Sequence, residues 1–215
     1  MDKIINFKQS SPSVKSLASS DPRMGRLIEH IGDYSLRLRT NYTASIARTI
    51  AGQQISAQVA RKIWGRVLTL CEDITPESLL SVSPEDLRST GLSRSKVLYI
   101  REFCQKVIDS EIRLDHIGRE DNEEIIRQLI TVKGIGRWTA KMFLIFSLGK
   151  PDVLAEEDIG IRRSIKWLYS LPDLPTAGEV LDYGERWKPY RSVASLYLWE
   201  AINSKLINKS NYSRA

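Results

Sequence analysis

The stretch LITVKGIGRWTA, residues 129–140, places two glycines around one apolar residue between two helical patterns. Glycine permits positive φ angles and a close backbone approach, so Gly134 and Gly136 predict a tight turn in which both φ angles are positive. Ile135 is expected to plug the space between the two helices. The amides that begin the second helix then face outward at the positive end of its dipole, which suits an anion such as a DNA phosphate.

An ordinary helical corner with a glycine C-cap is the alternative interpretation of this turn, and a Gly-x-Gly pattern alone would favour it. The apolar helices on both sides, with Lys133 and Arg137 beside the turn, favour the DNA interpretation. The sequence therefore predicts a helix-hairpin-helix motif at about residues 125–148.

Apolar residues recur at helical spacing through most of the rest of the chain. Ser56, Thr75 and Ser83 are predicted N-caps, and a proline follows each of the last two. Residues 33–39 alternate and predict a short extended segment, for which the sequence offers no strand partner. Two apolar stripes are expected to be buried: Ala60, Ile63, Trp64, Val67, Leu68 and Cys71 in one, and Ile125, Ile126, Leu129 and Ile130 in the other.

Composition narrows the class of protein further. The 215 residues carry a net charge of +6 and a pI of about 9.3, which is consistent with a polyanionic partner. Cys71 and Cys104 are expected to be buried thiols, and because the sequence has no close pair of cysteines, neither a zinc site nor an iron–sulfur cluster is expected. The longest apolar stretch, 142–148, is too short to span a membrane, and the N-terminus lacks a signal-peptide pattern. We expect a cytoplasmic protein acting on nucleoid or nuclear DNA, with no membrane partner.

Several motifs occur together in an order that resembles the helix-hairpin-helix–Gly/Pro–Asp superfamily of DNA glycosylases. The hairpin at 134–140 is followed by Asp158, a Gly-Gln helix start lies at 50–56, an aspartate loop at 152–158, and a C-terminal signature at 187–192 with Trp199 after it. The closer similarity is to the 3-methyladenine branch, which handles alkylated bases. This sequence departs from the family pattern at Lys133, where proline is frequent, and at Gln54, where some relatives carry an apolar wedge.

The resemblance implies an all-α fold of two helical lobes with the active site in a cleft between them. The central lobe, 42–150, would bear the hairpin, and residues 1–41 plus 151–215 would form the second lobe with the aspartate loop. The implied function is that of a monofunctional DNA glycosylase that excises alkylated purines and so initiates base excision repair. Its partner would be double-stranded DNA containing alkylated bases, bound by a monomer.

Asp158 matches the catalytic aspartate of this superfamily. Breaking an N-glycosidic bond builds positive charge on the deoxyribose, and a fixed carboxylate stabilises that charge and can orient or deprotonate the attacking water. Capping of the following helix is the structural alternative for Asp158. Spacing alone leaves Glu156 and Glu157 as other candidates for the catalytic role.

The resemblance also implies a pocket for a base that has left the helical stack. Trp138 and Trp199 match pocket positions, and Tyr34, Tyr190 and Trp187 are further candidates, because aromatic faces attract cationic alkylpurines. Lyase-competent relatives carry a nucleophilic lysine where this chain has Trp138, so β-elimination is not expected. Lys133 and Lys141 do not match that position and are expected to be phosphate contacts or solvated charges.

DNA contacts are expected around the hairpin and at the Gly-Gln helix start. The candidates are Lys133, Gly134, Ile135, Gly136, Arg137, Thr139, Gln53 and Gln54. One of the two glutamines would fill the gap left by the extruded base or probe the opposing base, with helix capping as the alternative. No cofactor is required, although the resemblance implies a Na⁺ or K⁺ ion held by the backbone carbonyls of Ile130, Val132 and Ile135.

Two other functions remain open at this point. One is a non-catalytic helix-hairpin-helix DNA-binding module, which would be indifferent to Asp158. The other is a glycosylase for another lesion, such as an oxidised or mismatched base. Within the alkylpurine class, 3-methyladenine, 7-methylguanine, hypoxanthine and ethenoadenine are all compatible with the sequence.

Overall fold

The computed structural model describes residues 3–208. Within that range the chain forms two compact units. One is Arg39–Leu148, and the other combines the described parts of Met1–Leu38 and Gly149–Ala215.

The described chain is mostly helical, which confirms the predicted all-α class. The unit formed from residues on both sides of Arg39–Leu148 begins with β1 (Ile4–Phe7), α1 (Pro12–Ser20), α2 (Pro22–Ile31) and β2 (Tyr34–Arg37). The next seven helices are α3 (Tyr42–Gly52), α4 (Ala57–Leu68), α5 (Pro76–Ser81), α6 (Pro84–Ser89), α7 (Arg94–Ile108), α8 (Asn122–Leu129) and α9 (Arg137–Phe143), and a π-helical turn, Leu144–Leu148, continues α9. The chain then returns to the unit that contains β1 and β2, to which it adds α10 (Ile159–Tyr169), α11 (Ala177–Glu185) and α12 (Arg191–Asn203).

Helix starts follow the capping residues that the sequence predicts. The hydroxyls of Ser56 and Ser83 accept the amides of Val59 at 3.3 Å and Asp86 at 3.0 Å. Thr75 forms a reciprocal capping box with Ser78, three residues into α5. These side chains satisfy helix amides that have no partner inside the helix, so all three N-cap predictions are confirmed.

The extended segment after α2 does have a strand partner, contrary to the sequence expectation. β2 pairs with β1 in an antiparallel ladder that sets Ile4 opposite Arg37 and Phe7 opposite Tyr34. Two helices separate the strands along the chain, and nothing in the local pattern of residues 4–7 announces the pairing. The strand is short, so the fold stays in the helical class.

The core of the unit Arg39–Leu148 follows the predicted stripes except at Ala60, which is half-buried, and at two residues that are exposed. Ile125, Ile126 and Leu129 are buried as expected, whereas Leu68 is 48% exposed and Ile130 is 40% exposed. Leu68 is the last residue of α4 and Ile130 the C-cap of α8, so each lies where the chain leaves the buried face. The prediction of burial was wrong at both positions.

Both cysteines are free and buried, as expected. Burial raises the pKa of the Cys104 thiol to about 12. Because a protonated thiol is a poor nucleophile, Cys104 belongs to the packing and not to the chemistry. Within residues 3–208, no helix combines the length and apolar character needed to cross a bilayer.

A buried carboxylate organises the other unit. Asp21 is only 2% exposed and caps α2 by accepting the amides of Arg23 at 3.0 Å and Met24 at 3.2 Å. The same side chain accepts the indole N–H of Trp187 at 3.0 Å and the hydroxyl of Tyr169. Trp187 is fully buried by this contact, so its assignment to a base pocket was wrong and it is a core residue.

Asp21→Ala is expected to lower the free energy of unfolding by about 3 kcal/mol, because the indole and phenol donors lose a buried acceptor and α2 loses its cap. The matched control is Asp182→Ala, since Asp182 is an exposed carboxylate on α11. It should change the free energy by less than about 0.5 kcal/mol. Urea unfolding followed by circular dichroism measures both, and equal effects would contradict the organising role of Asp21.

Candidate nucleic-acid interface and active site

The hairpin joins α8 to α9 through one positive-φ glycine. Gly134 has φ of +80°, as predicted, but Gly136 has φ of −91° and ψ of 173°. Gly136 is the N-cap of α9, and extended angles are usual at that position, so the expectation of a second positive φ was wrong. Ile135 is 4% exposed between the two helices, which confirms its role as a plug.

The two glycines have different surroundings. A Cβ atom built on Gly134 would lie 2.1 Å from a ring carbon of Tyr99, so the hairpin backbone packs directly on that ring. A Cβ built on Gly136 meets nothing within 4 Å. Gly134 therefore serves internal packing, whereas Gly136 leaves an open approach to the start of α9.

The Gly-Gln segment at the end of α3 is tied to the hairpin. The side-chain amide of Gln53 donates to the carbonyl of Gly134 at 2.7 Å and to the hydroxyl of Thr139 at 3.3 Å. The ammonium of Lys96 donates to the carbonyls of Ala51 at 2.9 Å and Gln53 at 2.8 Å. These bonds hold the end of α3 against both the hairpin and α7.

Gln54 differs from its neighbour because its side chain is exposed. Its φ of +56° places it in the left-handed region, which is uncommon for a residue other than glycine. The backbone thus turns sharply at one of the two glutamines that are expected beside the DNA. Thr139, a predicted DNA contact, is 5% exposed, and its hydroxyl accepts from Gln53.

A cavity of about 1030 Å³ opens beside the hairpin within the unit Arg39–Leu148. Aromatic rings contribute one part of its lining, and three cationic side chains contribute another. None of the described residues that line it is acidic. The lining residues are Arg39, Arg48, Thr49, Gly52, Gln53, Gln54, Ile55, Ser93, Ser95, Lys96, Tyr99, Gly134, Gly136, Trp138, Thr139, Met142 and Phe146.

Only part of this cavity was predicted from the sequence. Trp138 and the glutamines were among the candidates, whereas Arg39, Arg48 and Phe146 were not. Arg39 ends an alternating segment. Arg48 lies on α3 four residues before Gly52, which also lines the cavity, so helical spacing from the Gly-Gln pair could have identified Arg48. No local pattern identifies Arg39.

The cations predicted beside the turn have other surroundings. The guanidinium of Arg137 forms two hydrogen bonds with the carboxylate of Glu123, at 3.0 and 2.9 Å, and both side chains are well exposed. Lys133 lines a separate shallow recess with Leu98 and other residues of α7. Lys141 is 8% exposed, so the expectation that it is a solvated charge or phosphate contact was wrong.

Asp158 lies at the start of α10 and is fixed by two donors from different helices. Its Oδ1 atom accepts the amide of Ile161 at 3.0 Å and the indole N–H of Trp199 at 3.1 Å. A Cβ on Gly160 would lie 2.9 Å from the same oxygen, so a glycine there leaves room for the carboxylate. Capping, the structural alternative, is therefore present, and a donor from α12 is added to it.

The segment before Asp158 is bound to the start of α12. The guanidinium of Arg191 pairs with the carboxylate of Asp152 at 2.7 and 2.9 Å. Although burial opposes it, this pairing holds the pKa of Asp152 below its usual value. The hydroxyl of Ser192 accepts the amide of Val153 at 2.9 Å and donates to its carbonyl at 3.2 Å.

Tyr34 and Tyr190, the other candidates for the base pocket, lie in the same unit as Asp158. The ring of Tyr34 packs 6.1 Å from that of Tyr197, and burial together with the charge of Glu200 raises the pKa of Tyr34. Tyr190 precedes α12 and is half-buried. Glu156 is half-buried and Glu157 is exposed, and neither is the helix cap.

The turn after α8 fits the backbone cation site that the resemblance implies. The amide of Ile135 donates to the carbonyl of Val132 at 3.1 Å, so both residues lie in one tight turn. A carbonyl has two lone pairs and retains capacity for an ion, and Ile130 lies at the helix end, where carbonyls lack helical partners. Among the described residues, no cluster of His, Cys, Asp and Glu suits a metal ion.

Comparison with known proteins gives concordant results. A family model described as "HhH-GPD superfamily base excision DNA repair protein" matches residues 47–189. DNA-3-methyladenine glycosylase 1 of Schizosaccharomyces pombe is 33% identical over 86% of this chain and 84% of its own length. Among solved structures, DNA-3-methyladenine glycosidase from Bacillus halodurans is 37% identical, with a TM-score of 0.84 and 94% of each chain covered. The S. pombe 3-methyladenine DNA glycosylase in complex with abasic DNA is 31% identical, with a TM-score of 0.83, 94% of this chain covered and 100% of that chain.

Gly134→Ala is expected to destabilise the protein by at least about 2 kcal/mol, because alanine at a φ of +80° is strained and its Cβ would overlap the Tyr99 ring. Gly136→Ala is the matched control, with a permissive φ and open space around the Cβ, and should cost less than about 1 kcal/mol. Thermal unfolding of the two variants distinguishes them. A more stable Gly134→Ala than Gly136→Ala would mean that the Tyr99 packing does not constrain the turn.

Proposed function

The chain belongs to the HhH-GPD superfamily of base excision DNA repair proteins, and we propose that it is a monofunctional DNA glycosylase that removes alkylated purines. Asp158 carries the proposal, because its carboxylate is held by Ile161 and Trp199 in a chain that also presents a helix-hairpin-helix turn. Three similar proteins, DNA-3-methyladenine glycosylase 1 of S. pombe and two solved structures, are named 3-methyladenine glycosylases or glycosidases, and these names support the lesion class.

Asp158 acts on the deoxyribose of the extruded nucleotide. As the bond between C1′ and the purine nitrogen breaks, its electron pair leaves with the base and positive charge builds on the sugar. The carboxylate stabilises that charge, and a fixed contact of this kind contributes roughly 3–4 kcal/mol to lowering the barrier. Water then attacks C1′, with Asp158 orienting it or accepting its proton.

Water is the nucleophile because no amine is offered at the hairpin position. That position is Trp138, Lys141 is buried in α9, and Lys133 lines a separate recess. Without a Schiff base on C1′, the sugar is not activated for β-elimination. The products are a free base and an abasic site in an intact strand.

DNA binding uses the hairpin and the exposed end of α3. Gly136 leaves the first amides of α9 accessible to a backbone phosphate, and Gln54 projects at a sharp turn. Gln54 probes the duplex at the extruded base, while Gln53 holds the hairpin carbonyl in place. Every residue in this scheme comes from one chain, so a monomer suffices.

Trp138 and Trp199 have different roles in the scheme. Trp138 is 37% exposed and lines the cavity, so its ring stacks on the electron-poor alkylated base. Trp199 donates its indole N–H to Asp158 and positions the carboxylate. A Na⁺ or K⁺ ion on the carbonyls of Ile130, Val132 and Ile135 would supply positive charge near the phosphate that the hairpin binds.

Asp158→Asn is expected to reduce release of methylated purines from alkylated duplex DNA by at least about a hundredfold, since the charge that opposes the sugar cation is lost. Affinity for DNA should change little. Glu157→Gln, a nearby exposed carboxylate, is the matched control and should retain full activity. The measurement is chromatography of released bases, with strand integrity assayed before any alkali.

Three outcomes would contradict the proposal. Unchanged release by Asp158→Asn would exclude Asp158 as the catalytic group. Binding without release by the wild type, over a panel of alkylated and deaminated purines, would indicate a non-catalytic module. Strand cleavage before alkali would show a lyase activity.

Trp199→Phe tests the positioning role, because it keeps an aromatic ring and removes the N–H. The value of kcat should fall about tenfold with KM nearly unchanged, since one hydrogen bond to a charged group is lost. Trp199→Leu removes the ring as well, and its KM should be no higher than that of Trp199→Phe. If Trp199 instead stacked on the base, Phe would retain activity and Leu would raise KM.

A further inference from the structure

The cavity beside the hairpin has an excess of positive charge that its own residues do not neutralise. Lys96, Arg39 and Arg48 all line it, and among the residues that the structure describes no acidic one does. Lys96 already donates to two backbone carbonyls, so its charge serves the end of α3. The two arginines remain to be explained.

Arg39 and Arg48 bring like charges to one cavity, and both residues are exposed. Desolvation of the guanidinium, with the charge of Arg48 added, lowers the pKa of Arg39. The Arg39 guanidinium lies 5.1 Å from the ring centre of Phe146. Within residues 3–208, neither arginine forms an ion pair with a carboxylate.

We propose that Arg39 and Arg48 together hold one phosphodiester group of the DNA backbone beside the hairpin. This inference rests on the proposed function, because it assumes a DNA strand at the hairpin. A guanidinium matches phosphate oxygens with two parallel N–H donors, and two of them on one phosphate turn the mutual repulsion into a shared attraction.

Charge favours a phosphate over the edge of a base. A purine edge offers neutral acceptors, and an alkylated purine carries positive charge itself, so neither would neutralise two guanidinium groups. A backbone phosphate carries a full negative charge. The cavity lining also includes Gly136, which leaves open space, and the exposed Gln54, so a strand bound at the hairpin is contiguous with the arginines.

Salt dependence of binding to undamaged duplex DNA tests the proposal. Log K falls with log salt by about 0.9 for each phosphate neutralised, so the double variant Arg39→Gln/Arg48→Gln should lower that slope by about 1. Affinity at fixed salt should fall about tenfold whatever the base sequence. Each single variant should show part of the effect, and Arg48→Lys should keep the slope because it keeps the charge.

Arg113→Gln is the matched control, since Arg113 is an exposed arginine of the same unit that lies outside the cavity lining. It should leave affinity and slope unchanged. Thermal unfolding of each variant confirms that the fold is intact, and the single variants give the same readout if the double variant is unstable.

The outcomes separate this proposal from the wider one. Wild-type protein that releases alkylated bases, with a slope unaffected by either arginine, would overturn the phosphate site alone. Loss confined to one lesion, with undamaged DNA bound normally, would assign the arginines to the base edge. If inorganic phosphate binds the protein but does not compete with duplex DNA, the phosphate-site proposal is likewise overturned. Wild-type protein that binds DNA with the full slope but releases no base would overturn the glycosylase function and leave the phosphate site standing.

Discussion

One helix holds both ends of the segment that carries Asp158, the proposed catalytic carboxylate. At the start of α12, Arg191 pairs with Asp152 and Ser192 binds the backbone of Val153. Two turns later in the same helix, Trp199 donates to Asp158. Since α12 is largely buried, this segment cannot shift without unpacking the unit around it. The carboxylate is thereby fixed before a substrate arrives, and electrostatic catalysis depends on such preorganisation because no energy is then spent in reorienting the charge.

In the unit Arg39–Leu148, polar side chains bind backbone carbonyls near the hairpin, and cationic side chains line the cavity. Gln53 binds the carbonyl of Gly134, and Lys96 binds those of Ala51 and Gln53, so these three carbonyls already have donors within the protein. Acidic residues are abundant in the chain, yet none lines the cavity. A net charge of only +6 therefore understates the local positive field at this cavity, because three cationic side chains gather there.

How far the sequence predicts this molecule depends on the distance over which each feature is encoded. The turn at Gly134, the cap at Thr75 and the position of Asp158 before a helix depend on residues within one or two turns, and each was predicted. The pairing of β1 with β2 and the burial of Trp187 against Asp21 join segments 27 to 166 residues apart. Spacing patterns carry no information about which distant segment is the partner, so both features required the folded chain.

The two interpretations of Asp158, helix cap and catalytic group, do not exclude each other. A cap needs only an amide of its own helix, and Ile161 supplies it. The indole of Trp199 lies 41 residues further along the chain and satisfies no amide at the start of α10. A second donor on the same oxygen restricts rotation of the carboxyl group. Helix capping does not require this restriction, whereas a carboxylate that must face a sugar does. Asp21 also combines a helix cap with a distant indole donor, but its carboxylate is buried, whereas Asp158 is half-buried. A fixed carboxylate that is still accessible is therefore the feature that sets Asp158 apart from a structural cap.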